Sequence, residues 1–220
     1  MRYLLVALFS LTLTLAPVIA ETHALGIGTL PTVKNSSRAL VQSMRSLRRG
    51  IEVDARTCHD NSRGMEASSS YKADLKKTLD TDKTVVIEVS GNMICDGVHP
   101  SSYRYGVAFE KQSGKRLDLN RIYNIAIRQD DHLFLRHELA DTAKISYERA
   151  NAQVPSCLNQ IDDDGLTSLP MTFSPNTDGS LSLYYSAPGV SAACYPVLVL
   201  ERSAVAAYRN ADLASQYHLP

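Results

Sequence analysis

Several features that point to a particular function are missing from this 220-residue chain. It has no tryptophan, and its 23 Lys and Arg residues equal its 23 Asp and Glu residues, so its formal net charge is zero. Without a basic excess to neutralise phosphates, nothing in the composition favours a nucleic-acid partner. The Rossmann and P-loop glycine fingerprints, the G-x-S-x-G elbow and the H-E-x-x-H helix are also absent. We therefore expect no cofactor, no metal site and no enzyme activity.

Long apolar runs are restricted to the N-terminus. The segment from Leu4 to Leu15 is almost wholly apolar, follows a single positive charge at Arg2, and leads to small residues before Ala20. This layout is typical of a secretory signal peptide over residues 1–20. No later run approaches the roughly 18 apolar residues of a membrane span. We expect a mature chain without a transmembrane segment, either periplasmic or secreted.

Cysteines are few and even in number: Cys58, Cys95, Cys157 and Cys194. In an exported chain an even count indicates disulfides, for which four cysteines allow three connectivities. We favour the local pairs Cys58–Cys95 and Cys157–Cys194, because each closes a separation of only 37 residues. A zinc site is the alternative, since a histidine follows Cys58 directly and another lies four residues after Cys95, but no C-x-x-C pair supports it.

The residue pattern predicts an α+β fold with a mainly antiparallel sheet. Strand-like stretches cover 71–79, 84–89, 103–109 and 195–200, and a hairpin covers 171–185. The hairpin prediction depends on Asp178-Gly179, a pair that suits the positive φ of a tight turn. Disulfides would stabilise this sheet.

Two helices are expected, one short and one long. The short N-terminal helix would begin after Ser36 or Ser37 and end near Leu47. Its segment, 34–49, contains no acid, so it is either a solvated basic face or a patch for an anionic partner. The long helix would run from about Asp130 to Ala150, with acids at its start. We expect a flexible arm over 21–35 and a single domain over 36–220.

Candidate binding residues are one loop histidine and two acidic clusters. They are His99, Asp130, Asp131, Asp162, Asp163 and Asp164. The second cluster, followed by Gly165, resembles a calcium loop, but the position that needs a bidentate Glu holds Met171. We interpret it as a solvated acidic turn. If the aspartates converge in space, they would steer a basic partner toward the protein.

One stretch carries a family resemblance. Strand-like residues end in Cys95-Asp96-Gly97-Val98-His99-Pro100, a second strand-like segment follows, and Ser113-Gly114-Lys115 forms a turn. This resembles the RsiV-like domain, named after the extracellular part of a lysozyme-sensing anti-sigma factor, over roughly residues 51–208. Asp96, Val98 and Ser113 depart from the usual Cys-Gly-Gly-Ala-His-Pro and Thr-Gly-Lys patterns. The resemblance implies an envelope protein and no catalytic residues.

Three functions follow from these observations. The first is an exported module that binds a protein partner in the envelope, such as a cell-wall hydrolase. The second is a protein that binds a glycan or another small ligand, and the third is a hydrolase whose site the sequence does not reveal. A protein-binding surface would present an exposed apolar or aromatic patch. A glycan site would be a groove with aromatic side chains, and a hydrolase would have a pocket with mutually positioned titrating groups.

Overall fold

The computed structural model describes residues 26–159, 165–189 and 191–220. The strands are β1 Gly26–Ile27, β2 Ser70–Asp80, β3 Thr84–Ile94, β4 Pro100–Glu110, β5 Ala126–Gln129, β6 His132–Leu135, β7 Pro170–Pro175, β8 Leu181–Tyr185 and β9 Leu198–Leu200. The helices are α1 Arg38–Gly64, α2 Leu119–Ile122, α3 Ala140–Ala150, α4 Pro155–Leu158, α5 Gly165–Ser168, α6 Arg202–Val205 and α7 Ala211–Gln216. Short 3₁₀ turns cover 137–139, 192–194 and 206–208.

The fold is α+β, with two sheets. Sheet 1 has the strand order β1-β2-β3-β4 and sheet 2 has the order β5-β6-β7-β8-β9. Every neighbouring pair is antiparallel except β1 with β2. The predicted α+β class with mainly antiparallel pairing is therefore confirmed, but the strands form two sheets instead of the one that was expected. None of the described helices is long and apolar enough to cross a membrane.

The N-terminal helix is much longer than expected. It begins after Ser37, whose Oγ accepts a hydrogen bond from the amide of Leu40, and it runs for 27 residues instead of ending near Leu47. Its buried side continues through Ile51 and Cys58. Gly50 costs about 1 kcal/mol inside a helix, and burial of this long apolar face against sheet 1 offsets that cost.

The expected helix over 130–150 is wrong in its first half. Asp130 and Asp131 have φ values of 46° and 64° and form the two-residue turn between β5 and β6. Such hairpin turns require positive φ at both central residues, and Asp tolerates that conformation. The two acids that suggested a helix N-terminus therefore make a hairpin, and α3 begins only at Ala140.

Part of the expected N-terminal arm is held on sheet 1. Gly26 and Ile27 pair with β2, and the ammonium groups of Lys77 and Lys111 donate to backbone carbonyls of residues 32 and 34, at 2.9 and 3.0 Å. Both ammonium groups also lie 2.5 Å from the carboxylate of Asp80. This ionic cluster fixes the segment before α1. The expected signal peptide and residues 21–25 lie outside the described residues.

One face of sheet 1 is covered by α1, and part of the other face is covered by sheet 2. Along β3, Val85, Ile87 and Val89 pack with α1, whereas Val86 joins a second core made largely by sheet 2. The two sheets approach closely at Gly106, where a Cβ would lie 2.9 Å from the Cβ of Ser174. A glycine is therefore needed at this crossing. Farther along β4 the sheets leave a cleft between them.

Both disulfides are the local pairs favoured from the sequence. Cys58 of α1 is bonded to Cys95, just after β3, and Cys157 of α4 is bonded to Cys194. Since all four thiols are oxidised, none is available to bind zinc. Within the described ranges, no cluster of three His, Cys, Asp or Glu side chains is arranged to hold a metal ion.

Candidate functional site

A cleft of about 450 Å³ lies between one face of sheet 1 and the chain that follows β8. We call it the polar cleft. Its floor consists of two rows of side chains, each crossing β2, β3 and β4. The strand register aligns them as Lys72–Asn92–Ser102 and Asp74–Ser90–Arg104.

The floor is polar because of the alternation of side chains along the strands. Tyr71, Ala73 and Leu75 of β2 are buried on the α1 side, so Lys72 and Asp74 between them point to the opposite face, where they are exposed. The sequence shows this alternation clearly. It does not show that sheet 2 leaves these polar side chains uncovered.

Gly91 is a second position where the sheet needs glycine. It faces α1 between the two floor rows, and a Cβ there would lie 2.5 Å from the hydroxyl of Tyr103 and would also overlap the carbonyl of Lys72. A glycine inside a strand often marks such a close approach. The ring of Tyr103 therefore packs directly over the backbone of β3.

The wall of the polar cleft consists of Tyr184 and Tyr185 at the end of β8, Ala192, and the segment 195–197. The ring of Tyr195 lies 5.7 Å from the ring of Tyr147 and 5.9 Å from that of Tyr185, measured between centroids. These contacts pack the aromatic wall against α3.

Covalent and polar contacts also hold this wall. Cys194 is bonded to Cys157, and the side chain of Asn151 donates to the carbonyl of Cys194 at 3.1 Å. The hydroxyl of Tyr147 donates to the carbonyl of Cys157 at 2.8 Å. The wall is thus attached to both α3 and α4, which lowers the entropic cost of ordering it around a ligand.

The inner end of the cleft holds a chain of polar contacts. Tyr184 donates its hydroxyl to the carboxylate of Glu88 at 3.0 Å, and Ser174 lies 2.7 Å from the same hydroxyl oxygen. A phenol has one proton to give, so Ser174 is the donor in the second bond. Arg104 lies 3.9 Å from Glu88. Burial raises the pKa of Tyr184 to about 12, so this side chain is a neutral donor at physiological pH.

The chemistry available in the polar cleft is hydrogen bonding. Its described lining contains no histidine or cysteine that would activate a nucleophile. The two cations of the floor, Lys72 and Arg104, are matched by the anions Asp74 and Glu88, so the site has both donors and acceptors and little net charge. Sequence reasoning missed this site, because its members come from distant strands that only the sheet register aligns.

His99 lies in the β3–β4 loop and is exposed. One oxygen of Asp96 accepts hydrogen bonds from the amides of Val98 and His99, at 3.0 and 2.8 Å, and the other bonds the imidazole of His99. These bonds hold the pKa of the Asp96 carboxyl well below its usual range. The contacts shape the turn around Gly97, whose φ is +78°. A ligand contact through His99 stays a prediction.

The structure describes two of the five candidate aspartates, Asp130 and Asp131. Asp130 is exposed at the β5–β6 turn, whereas Asp131 lines a second cleft of about 550 Å³ together with Arg116 and Arg128. That second cleft has an apolar base that includes Phe173, and a charged rim. Residues 162–164, which hold the other three aspartates, lie outside the described residues, so convergence of the five stays a prediction.

The chain has a weak similarity to a protein of known structure. No family model and no curated protein matches the chain. Among solved structures, it is similar to a DUF3298 family protein from Pseudomonas aeruginosa PAO1, with a TM-score of 0.38 and 20% sequence identity. The similarity covers 68% of this chain and 66% of that one, just under two thirds of its length. At this level of similarity, a proposed function has to depend on the geometry of the chain itself.

Proposed function

We propose that this protein is an exported binding protein, without catalytic activity, that holds a neutral oligosaccharide in the polar cleft. The observation that carries the proposal is the charge-balanced floor opposite a tyrosine-containing wall. Sugars present many hydroxyl groups that both donate and accept hydrogen bonds. They therefore match a surface on which ammonium, guanidinium, amide and carboxylate groups alternate.

The aromatic wall favours the same ligand. Tyrosine rings offer apolar area for the C–H faces of sugar rings, and their hydroxyls add polar contacts at the edge. Tyr195 is only half-buried, so part of its surface is available to a ligand. A cleft with few, well-placed polar groups and a wall of fixed position is the usual form of a small-ligand site.

The two disulfides support export. Disulfides persist in oxidising compartments such as the periplasm or the extracellular space. They agree with the expected signal peptide, and together these features support a periplasmic or secreted protein. Binding of a cell-wall hydrolase such as lysozyme remains a prediction from the RsiV-like resemblance alone.

The test is a titration of the oxidised protein with oligosaccharides. An array of neutral oligosaccharides, such as soluble chitin fragments, would identify a ligand, with anionic peptidoglycan fragments for comparison, and calorimetry would give its Kd. Lys72→Ala should weaken binding about tenfold, since it removes a charged hydrogen-bond donor. Lys76→Ala is the matched control, because Lys76 is also exposed on the same face of β2 but lies outside the cleft lining.

Two results would overturn the proposal. One is no binding of any oligosaccharide on the array. The other is an equal effect of Lys72→Ala and Lys76→Ala, which would place the ligand elsewhere. Release of sugar products by the purified protein would contradict the non-catalytic part.

A further inference from the structure

The outer edge of β4 is paired over only half of its length. In its C-terminal half, β4 pairs with the segment 115–117. The carbonyl of Ala108 accepts from the amide of Leu117 at 2.8 Å, and the amide of Glu110 donates to the carbonyl of Lys115 at 2.9 Å. Backbone groups point alternately to the two sides of a strand. The groups of Ser102, Arg104 and Gly106 therefore point to the same outer side as those of Ala108.

Two of these outward positions, Ser102 and Arg104, are exposed, whereas Gly106 is buried where the two sheets cross. β4 is the last strand of sheet 1, and no described residue hydrogen-bonds to the backbone of Ser102, Arg104 or Gly106 on this side. The β3–β4 register is continuous from Thr84↔Glu110 to Ile94↔Pro100, so no bulge bends the edge away. Proteins usually protect such edges with bulges, proline or covering loops, because an open edge is a template for another strand.

The side chains along the open edge define what it would accept. Arg104 has a side chain 46% exposed and only a 3.9 Å contact to Glu88, so it favours an acid directly across from it on an added strand. On the other face, the rings of Tyr103 and Tyr105 stack with centroids 6.3 Å apart and favour an aromatic or β-branched neighbour. Arg116, which is exposed beside the paired half of the edge, adds a second cation.

The exposed part of the edge borders the polar cleft. Ser102 and Arg104 line that cleft, so an extended chain beside them would place side chains at its mouth. The segment 115–117 already pairs antiparallel with β4, and it shows that this edge accepts an added strand.

We propose that the β4 edge at Ser102 and Arg104 binds an extended, acidic segment of a partner protein by strand addition. The backbone supplies the affinity, and Arg104 with the two tyrosines selects the sequence. This site shares Ser102 and Arg104 with the polar cleft, so a bound strand should compete with an oligosaccharide there. It differs in using the backbone of β4, which the saccharide proposal does not.

The test begins with selection of random displayed peptides on the oxidised full-length protein. Ser102→Pro is the decisive variant, because proline removes an outward N–H that no residue of sheet 1 uses and is tolerated on edge strands. Ser102→Ala is its matched control, since it keeps the backbone donor. The selected peptides should contain alternating acids, bind Ser102→Pro at least about tenfold more weakly, and bind Ser102→Ala and Lys72→Ala like wild type.

A second measurement does not depend on the folding of a variant. N-methylation of the selected peptide at alternate residues blocks one backbone edge, and methylation on only one of the two edges should abolish binding. The proposal is overturned if neither methylation matters, if Ser102→Pro binds like wild type while remaining folded, or if no peptide is enriched. Concentration-dependent dimerisation that Ser102→Pro abolishes would also overturn it, because the occupant would then be a second copy.

Discussion

Removal of the Cys157–Cys194 disulfide should release the wall of the polar cleft, whereas removal of Cys58–Cys95 should not. The two bonds form a natural matched pair, since each closes a separation of 37 residues. The chain-entropy relation assigns a loop of this length about 4 kcal/mol of stability, the same for both. Any difference between the two double variants therefore reports where each bond lies in the fold.

The expected global effect is similar in the two variants. Cys157→Ser with Cys194→Ser, and Cys58→Ser with Cys95→Ser, should each lower the free energy of unfolding by up to about 4 kcal/mol in a urea titration. The local effects should differ. Hydrogen exchange should accelerate over residues 191–197 only in the first variant, and over residues 95–99 only in the second.

Two outcomes would refute this reasoning. If residues 191–197 exchange equally in both variants, the disulfide does not hold the wall, and the hydrogen bonds from Asn151 and Tyr147 suffice. If the two free energies of unfolding differ by several kcal/mol, loop length does not govern the contribution of these bonds. Oligosaccharide affinity should fall only in the variant that lacks Cys157–Cys194.

Three further predictions concern the frame around the clefts. Asp80→Ala should lower the free energy of unfolding by about 3–5 kcal/mol in a urea titration, because it leaves the ammonium group of Lys111 buried without its anion. The side chain of Lys111 is only 5% exposed. Full stability in this variant would refute the ionic cluster. Burial opposes ionisation of Asp80, but bonds from Lys111 and Lys77 outweigh it and lower the pKa of its carboxyl below that of an ordinary aspartate. Its contribution to stability should therefore be complete above the pKa of the unfolded chain. It should be lost in acid titrations as the pH falls through the folded-state pKa, a loss that Asp80→Asn should not show. Gly97→Ala should destabilise the fold by about 1–3 kcal/mol, since φ is +78° and the new Cβ would overlap Ala67. Gly64→Ala is the control, because no atom lies within 4 Å of the added Cβ, and it should not lower the melting temperature.

Local turn chemistry made one hairpin predictable and hid another. The β7–β8 hairpin was expected correctly, because Asp178-Gly179 is a strong turn signal between alternating strands, and Gly179 has φ +87°. The turn at Asp130-Asp131 uses the same conformation without glycine. Adjacent acids before a run of apolar residues look the same in sequence at a helix start and at such a turn, and only pairing with β6 decides between them.

The candidate site could not be read from the sequence for a different reason. Each floor row combines residues from three different strands, as in Asp74, Ser90 and Arg104, which follow one another at 16 and 14 positions. The rows exist only once the register of these strands is set. The inner contact between Glu88 and Tyr184 joins residues 96 positions apart in the chain. No periodic pattern marks such pairs, because they depend on how the two sheets stack.

The order of the cysteines has a consequence for biogenesis. Cys58 pairs with Cys95 and Cys157 pairs with Cys194, so each bond closes before the next pair begins, and neither loop contains a cysteine of the other. A chain that emerges from its N-terminus presents the first pair to an oxidant before the second pair has appeared. Oxidation in order of emergence therefore gives the native connectivity directly, and this protein should mature without the thiol–disulfide exchange that nested or crossed pairings require.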